Sequence, residues 1–262
     1  MYKLYLGGRL MINQVELYYF SPTGGSKKAA NIFCEGMAEN VKLIDLGVKE
    51  ETRQPEGDVV VIAAPVFGGR IPGVVSEKIS KIDGKGKKVV TLVVFGNRAY
   101  EDALLELNDV SEKCGFQVVA SAALIAQHSM APEVGKGRPD AKDEEVILDF
   151  AKKVLDKIEN GSGDKVEVPG NRPYKDEMNM PAAPISLEAC NHCGVCASYC
   201  PVDAIKIDGD NVSTDIEKCI LCMACVAQCP AHARILPPPL EEKMEQLLGP
   251  LKGVRNENEF FI

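Results

Sequence analysis

The sequence predicts a doubly wound α/β domain followed by a small α+β module built around cysteines. Three observations carry that prediction. Between residue 15 and about residue 160, five short β-rich runs alternate with longer stretches of helical periodicity. The central runs are apolar on both faces, as a parallel sheet covered by helices on both sides requires. Eight of the ten cysteines fall within residues 190–229. That clustering reads as metal ligation by thiolates in a reducing compartment rather than as a disulfide frame.

The strand candidates are residues 15–20 (VELYYF), 42–46, 59–64 (VVVIAA), 89–95 (VVTLVVF) and 116–124 (FQVVASAAL). Helical segments over about 26–38, 74–82, 101–114 and 140–159 alternate with them, the last carrying Val146, Phe150, Val154 and Ile158 at helical spacing. Residues 11–160 are thus the α/β domain. Residues 161–184, opening Gly-Ser-Gly-Asp and rich in Pro, Asn and charge, read as a linker. Residues 185–236 are the cysteine module, and residues 237–262 a C-terminal helix and tail. Leu240, Met244, Leu247 and Leu248 share one face of that helix, and the final Glu-Phe-Phe-Ile is expected to dock back onto the protein. Residues 1–10 contain no apolar core of signal-peptide length, and Met11, directly before the first strand, is the expected natural start.

Composition sets limits on function. Of 262 residues, 45% are hydrophobic and 26% charged, with a formal net charge of −8, the balance of a soluble globular protein. An acidic chain is a poor partner for nucleic acid or an anionic membrane. No apolar run approaches the roughly eighteen residues of a membrane span.

Within the cysteine module the sequence repeats: EACNHCGVCASYCP at 188–201 aligns without gaps to EKCILCMACVAQCP at 217–230, an offset of 29. Each half reads Cys-x-x-Cys-x-x-Cys-x-x-x-Cys-Pro, the bacterial two-cluster ferredoxin run, in which the fourth Cys ligates the other cluster. Cys190, Cys193, Cys196 and Cys229 are therefore expected to hold one [4Fe-4S] cluster, and Cys200, Cys219, Cys222 and Cys225 the second. Three thiolates from one tight loop cap three corners of a cubane, and the fourth must come from elsewhere. A pair of structural zinc sites is the alternative, but zinc needs neither the third Cys at this spacing nor the Cys-Pro. His192 and His232 read as exposed loop residues, and Cys34 and Cys114 as inert helix thiols.

The first strand runs into Ser21-Pro22-Thr23-Gly24-Gly25-Ser26-Lys27, which opens a helix. Small residues and hydroxyls at such a turn suit a phosphate: glycines let backbone amides converge and the helix N-terminus adds its positive end. The loop fails the Walker pattern, with Phe20 and Lys28 at the key positions, and Gly-x-Gly-x-x-Gly is absent. It resembles the flavodoxin loop, Thr/Ser-x-Thr-Gly-x-Thr, with Ser26 replacing the last Thr.

With both motifs in place, residues 12–236 resemble a flavodoxin-like FMN domain fused to a two-cluster ferredoxin, the ferrodoxin-like family of anaerobes. The resemblance implies a five-stranded parallel sheet of order 2-1-3-4-5 with FMN at the carboxyl ends of strands one, three and four. It implies FMN contacts from Ser21, Thr23, Gly24, Gly25 and Ser26 in the first loop and from Pro65, Phe67, Gly68 and Gly69 in the second. A third set comes from Gly96, Asn97, Arg98 and Tyr100, with Tyr100 stacking on the flavin. Unlike a flavodoxin, the chain carries Arg70 and Arg98 in the ring-facing loops and Lys27 and Lys28 after the phosphate loop, and cations there favour the reduced flavin. His128 and Arg138 follow strand five, and His128 is a candidate proton donor.

The expected function is electron transfer between the two [4Fe-4S] clusters and FMN, linking one-electron and two-electron redox partners in the cytoplasm. The alternative is an FMN-dependent reductase of a quinone, nitro compound or metal complex, an oxidoreductase fed by its own ferredoxin domain. Redox proteins with a basic docking face are the expected partners, because residues 185–236 hold six Asp+Glu against three Lys+Arg. A homodimer is compatible with the long linker.

Overall fold

Eleven strands and seven α-helices build the chain in a computed structural model that describes residues 3–6, 9–161, 164–178 and 180–262. In order these are β1 (Lys3–Leu6), β2 (Arg9–Tyr19), α1 (Gly25–Met37), β3 (Ala38–Asp45), β4 (Val59–Pro65), α2 (Gly73–Ile79), β5 (Lys88–Phe95), α3 (Ala103–Lys113), β6 (Gln117–Ile125) and α4 (Ala141–Asn160). The second part holds β7 (Ile185–Ser186), α5 (Val195–Ser198), β8 (Ile205–Asp208), β9 (Asn211–Thr214), α6 (Ala224–Ala227), β10 (Arg234–Ile235), α7 (Pro238–Leu248) and β11 (Glu259–Phe261).

Five parallel strands lie in the order β3-β2-β4-β5-β6, which is 2-1-3-4-5 in chain order, the flavodoxin-type doubly wound sheet. All seven residues of β4 are buried, the mark of a central strand covered on both faces. Along each strand, alternate residues feed opposite layers. Leu17, Val61, Leu92 and Leu124 pack with Phe33 of α1 and Phe150 of α4, while Tyr18, Ile62 and Val93 pack with Val75 of α2 and Leu104 of α3. α4 starts on a capping box, with Asp140 accepting from the Asp143 N–H and Asp143 from the Asp140 N–H.

Two edge strands exceed the five expected. β1 pairs antiparallel with the start of β2, so that strand begins at Arg9, before Met11. At the far edge the C-terminal β11 pairs antiparallel with β6 through Glu259↔Ala123 and Phe261↔Ser121. The docking expected of the tail is thus strand addition: Phe260 packs 4.7 Å from Phe150, and Phe261 joins the opposite layer. This covers an otherwise open sheet edge.

The segment after α4 lies along α3. Asp102 accepts from the backbone N–H groups of Asn171 (2.8 Å) and Lys175 (2.8 Å), and Arg172 donates to Asp109 at 2.5 Å. In the cysteine module β8 pairs with β9 and β10 with β7, while α5 and α6 occupy equivalent places in the two halves.

Candidate functional site

The loops after β2, β4, β5 and β6 all leave the carboxyl edge of the sheet, and together they wall one cavity of about 1030 Å³, mouth included. The first supplies the phosphate-loop wall. Gly24 sits at φ +89°, a left-handed turn that favours glycine, and its N–H closes the turn onto Ser21 O at 3.2 Å. Lys27 N–H donates to Ser21 Oγ at 2.9 Å, and no acidic residue stands in the first turn of α1 to compete for an anion. Ser21, Thr23, Gly25 and Ser26 line the cavity; Gly24 lies on the adjoining surface cleft.

Pro65, Phe67, Gly68 and Gly69 line the second wall, and Gly96 and Arg98 the third. Gly68 and Gly69 have φ of +61° and +90°, and a Cβ on Gly69 would fall inside the Glu101 carboxylate. Arg98 is 44% exposed and pairs with Glu101 at 3.3 Å.

Asn97, Tyr100 and Arg70 are placed otherwise than the resemblance implied. Tyr100 does not reach the cavity: it is buried against Phe95 at 5.4 Å, and its hydroxyl donates to Glu259 Oε2 at 2.7 Å. Burial and that carboxylate raise its pKa. Asn97, also buried, donates to Val254 O at 2.8 Å and accepts from Asn256 N at 3.2 Å, so it holds the tail rather than a ligand. Arg70 is drawn away by Glu106, to which Nε and Nη2 each donate at 2.7 Å, and lies over Tyr174. Arg138 forms a buried pair with Asp143 and donates to Asn256 O at 2.6 Å. The tail supplies the partners of Tyr100 and Asn97 and one acceptor of Arg138, whereas Arg70 is held mainly by Glu106 of α3 and Arg138 by Asp143 of α4. Of the two ring-facing arginines, only Arg98 remains at the cavity.

His128 lines the cavity and packs on Gly96, where a Cβ would come within 2.3 Å of the ring. Its Nδ1 accepts from Met130 N–H at 3.2 Å. Burial, and secondarily the Arg98 cation, pushes its pKa down to about 4, so at neutral pH the ring is uncharged and has no imidazolium proton to give.

The remaining wall comes from outside the α/β domain. Met178 and Met180 arrive from the segment after α4, Met244, Leu247 and Leu248 from α7, and Cys222 from the cysteine module. The shared apolar face of α7 was legible in the sequence, but its destination was not.

Cys222 also borders a second, smaller pocket, which Cys200, Cys219 and Cys225 line with it. The four thiols expected to hold one cubane are thus brought together, and each of the other three acts electrostatically on Cys222. The rest of that lining is largely apolar, including Ile205, Leu221 and Met223. Burial pushes the Cys222 thiol up to about 12, so a bound cationic iron centre is what would stabilise a thiolate there. Of the other set, Cys190 and Cys196 are electrostatic neighbours, Cys193 is exposed and Cys229 is buried. Among the described residues no three metal-binding side chains converge as ligands of a single ion would; the thiols surround a space. His192 is half-buried and His232 exposed.

Residues 183–230 match the model of the 4Fe-4S dicluster domain. The chain carries a two-cluster [4Fe-4S] module. No curated protein matches the sequence. Among solved structures, the chain is similar to rubredoxin oxygen:oxidoreductase from the anaerobe Desulfovibrio gigas, at 17% identity and a TM-score of 0.43, over 57% of this chain and 37% of that one. It is also similar to the flavodoxin, WrbA-like protein from Agrobacterium tumefaciens, at 12% identity and a TM-score of 0.44, over 58% of this chain and 100% of that one. Flavodoxin 1 from Bacillus cereus matches at 18% identity and a TM-score of 0.41, over 55% of this chain and 98% of that one. Among the described residues no helix is long and apolar enough to cross a membrane.

Proposed function

We propose that the protein is an iron–sulfur flavoprotein that passes single electrons between its two clusters and an FMN held in the larger cavity. The observation that carries this reading is the position of Cys222, which borders both the cysteine-lined pocket and the cavity walled by the phosphate loop. One cluster would then sit against the flavin site within a single chain, and transfer needs no second copy. FMN exchanges electrons singly or in pairs, whereas each cluster handles one, so the pairing joins one-electron to two-electron partners.

The residues present suit FMN. The hydroxyls of Thr23 and Ser26 and the N-terminus of α1 would take the phosphate, and Pro65 to Gly69 and Gly96 with Arg98 would flank the ring. Met178, Met180, Met244 and Leu248 line the opposite side with apolar atoms, next to Cys222.

The surface of the cysteine module supports docking of a basic redox protein in the cytoplasm. Of its three cations Arg234 is buried, which leaves Lys206 and Lys218 against six acidic residues. The small-molecule reductase reading gains Phe67, Arg98 and His128 at the cavity but loses Tyr100.

Anaerobic reconstitution followed by stopped-flow reduction tests the proposal. The expected result is two clusters and one FMN per chain, with flavin bleaching that follows cluster reduction. Cys222→Ala is expected to remove about half of the iron and abolish rapid bleaching. A chain that binds no FMN, or whose flavin is reduced at the same rate without clusters, overturns the reading.

A further inference from the structure

The two halves of the cysteine module repeat at an offset of 29, so each residue of the first half has a counterpart in the second. Their backbone surroundings are matched. Ala204 N–H donates to Cys200 Sγ at 3.2 Å, and its counterpart Ala233 donates to Cys229 Sγ at 3.3 Å. The next pair of positions breaks the symmetry: Ile205 is a buried apolar side chain, whereas its counterpart Arg234 is a cation only 2% exposed.

Arg234 has no carboxylate among its hydrogen-bond acceptors. It donates to Ser186 Oγ at 3.0 Å, Pro184 O at 2.8 Å and Thr214 Oγ1 at 2.7 Å, all uncharged, and its Nε is buried without a partner. A buried guanidinium is costly unless an anion compensates it. What stands beside it is cluster sulfur. Cys225 Sγ lies 3.9 Å from Nη2, and Cys196 and Cys219 are within its electrostatic reach. A cubane held by four thiolates is a net anion, and more so when reduced.

We propose that Arg234 is the internal counter-ion of the dicluster module and sets the order of its two potentials, raising that of the cluster held by Cys200, Cys219, Cys222 and Cys225 above that of its twin. The inference rests on the cysteine assignment proposed above. A cation close to a redox centre favours the form with the extra electron. Among the described thiols, Cys225 is the one that accepts a hydrogen bond from the guanidinium, and Ile205 offers the first half no matching charge. One electron therefore leaves the cluster of Cys190, Cys193, Cys196 and Cys229, which is oxidised, and enters the other, which is reduced; no proton or atom moves. The electron comes to rest beside Cys222, at the wall of the larger cavity. Arg234 acts through the cluster and touches no substrate, so it is a positioning residue.

The test is an EPR-monitored redox titration of the anaerobically reconstituted full chain, with iron counted per chain. The wild type is expected to show two resolved cluster couples, and Cys222→Ser to perturb only the higher one. In Arg234→Gln and Arg234→Ile the higher couple falls enough to shift the equilibrium between clusters at least tenfold, about 59 mV for one electron. Arg234→Lys, which keeps the charge, retains the order. Wild-type clusters that titrate together overturn the inference without any variant having to fold, as does a Gln variant with full iron and unmoved couples. A wild type that assembles fewer than two clusters refutes the cysteine assignment instead, so the two failures are distinguishable.

Discussion

The α/β domain and the cysteine module are held together by different physics. The sheet has two large apolar layers, one per face, drawn from long runs of Val, Ile, Leu and Ala with near-zero exposure. One small buried group in the cysteine module is Cys196, Cys200, Ala204, Ile205 and Cys225, three of its five members being thiols expected to bind iron. The first region is stabilised by burying hydrocarbon, the second by the bonds that its thiolates make to iron.

Removal of iron by a chelator gives the largest expected effect. Hydrogen exchange should then show lost protection in β7 to β10 while β4 and β5 remain protected. Simultaneous loss from both regions would break the distinction.

Next is the buried pair that ties the tail to the sheet. Asp143 is fully buried and accepts from Arg138, Arg255 and Asn258. Burial alone would raise its pKa, but Arg138 and the other donors hold it below the usual carboxylate range. Asp143→Asn leaves the Arg138 cation uncompensated and should cost about 3–5 kcal/mol in chemical denaturation. The native pKa being depressed, the stabilisation is present above the unfolded carboxylate pKa and is lost as pH falls through the native value.

His128 gives a smaller effect of the same sign. Its native pKa of about 4 lies below the ordinary 6.5, so the unfolded chain binds the extra proton between those values. Stability should be full above pH 6.5 and decline toward pH 4, by up to ~3 kcal/mol. His128→Gln should flatten that slope and leave the pH profile of flavin bleaching between pH 6.5 and 8 unchanged, which checks that the ring supplies no proton there.

The smallest effect is expected of Tyr100→Phe. Loss of the bond to Glu259 should cost about 1 kcal/mol, read as earlier fraying of β11 in hydrogen exchange, with FMN content unchanged. A marked loss of flavin would restore the stacking role that the resemblance implied.

The sequence by itself determined the features that are local in the chain. Strand and helix alternation follows from hydrophobic period, the turn at Gly24 from the residues that tolerate it, and the two-cluster module from cysteine spacing, because one loop must cap three corners of a cubane. Tertiary structure decided which long-range partner each polar side chain meets. Tyr100, Asn97 and Arg138 turn to the tail because Glu259, Asn256 and Val254 are brought there by β11, and Arg70 turns to Glu106. The fold also decided that Cys222 and the phosphate loop share a cavity across about 200 residues of chain. Periodicity and spacing act over one element, whereas the choice among acceptors and neighbours depends on which surfaces the folded chain brings into contact.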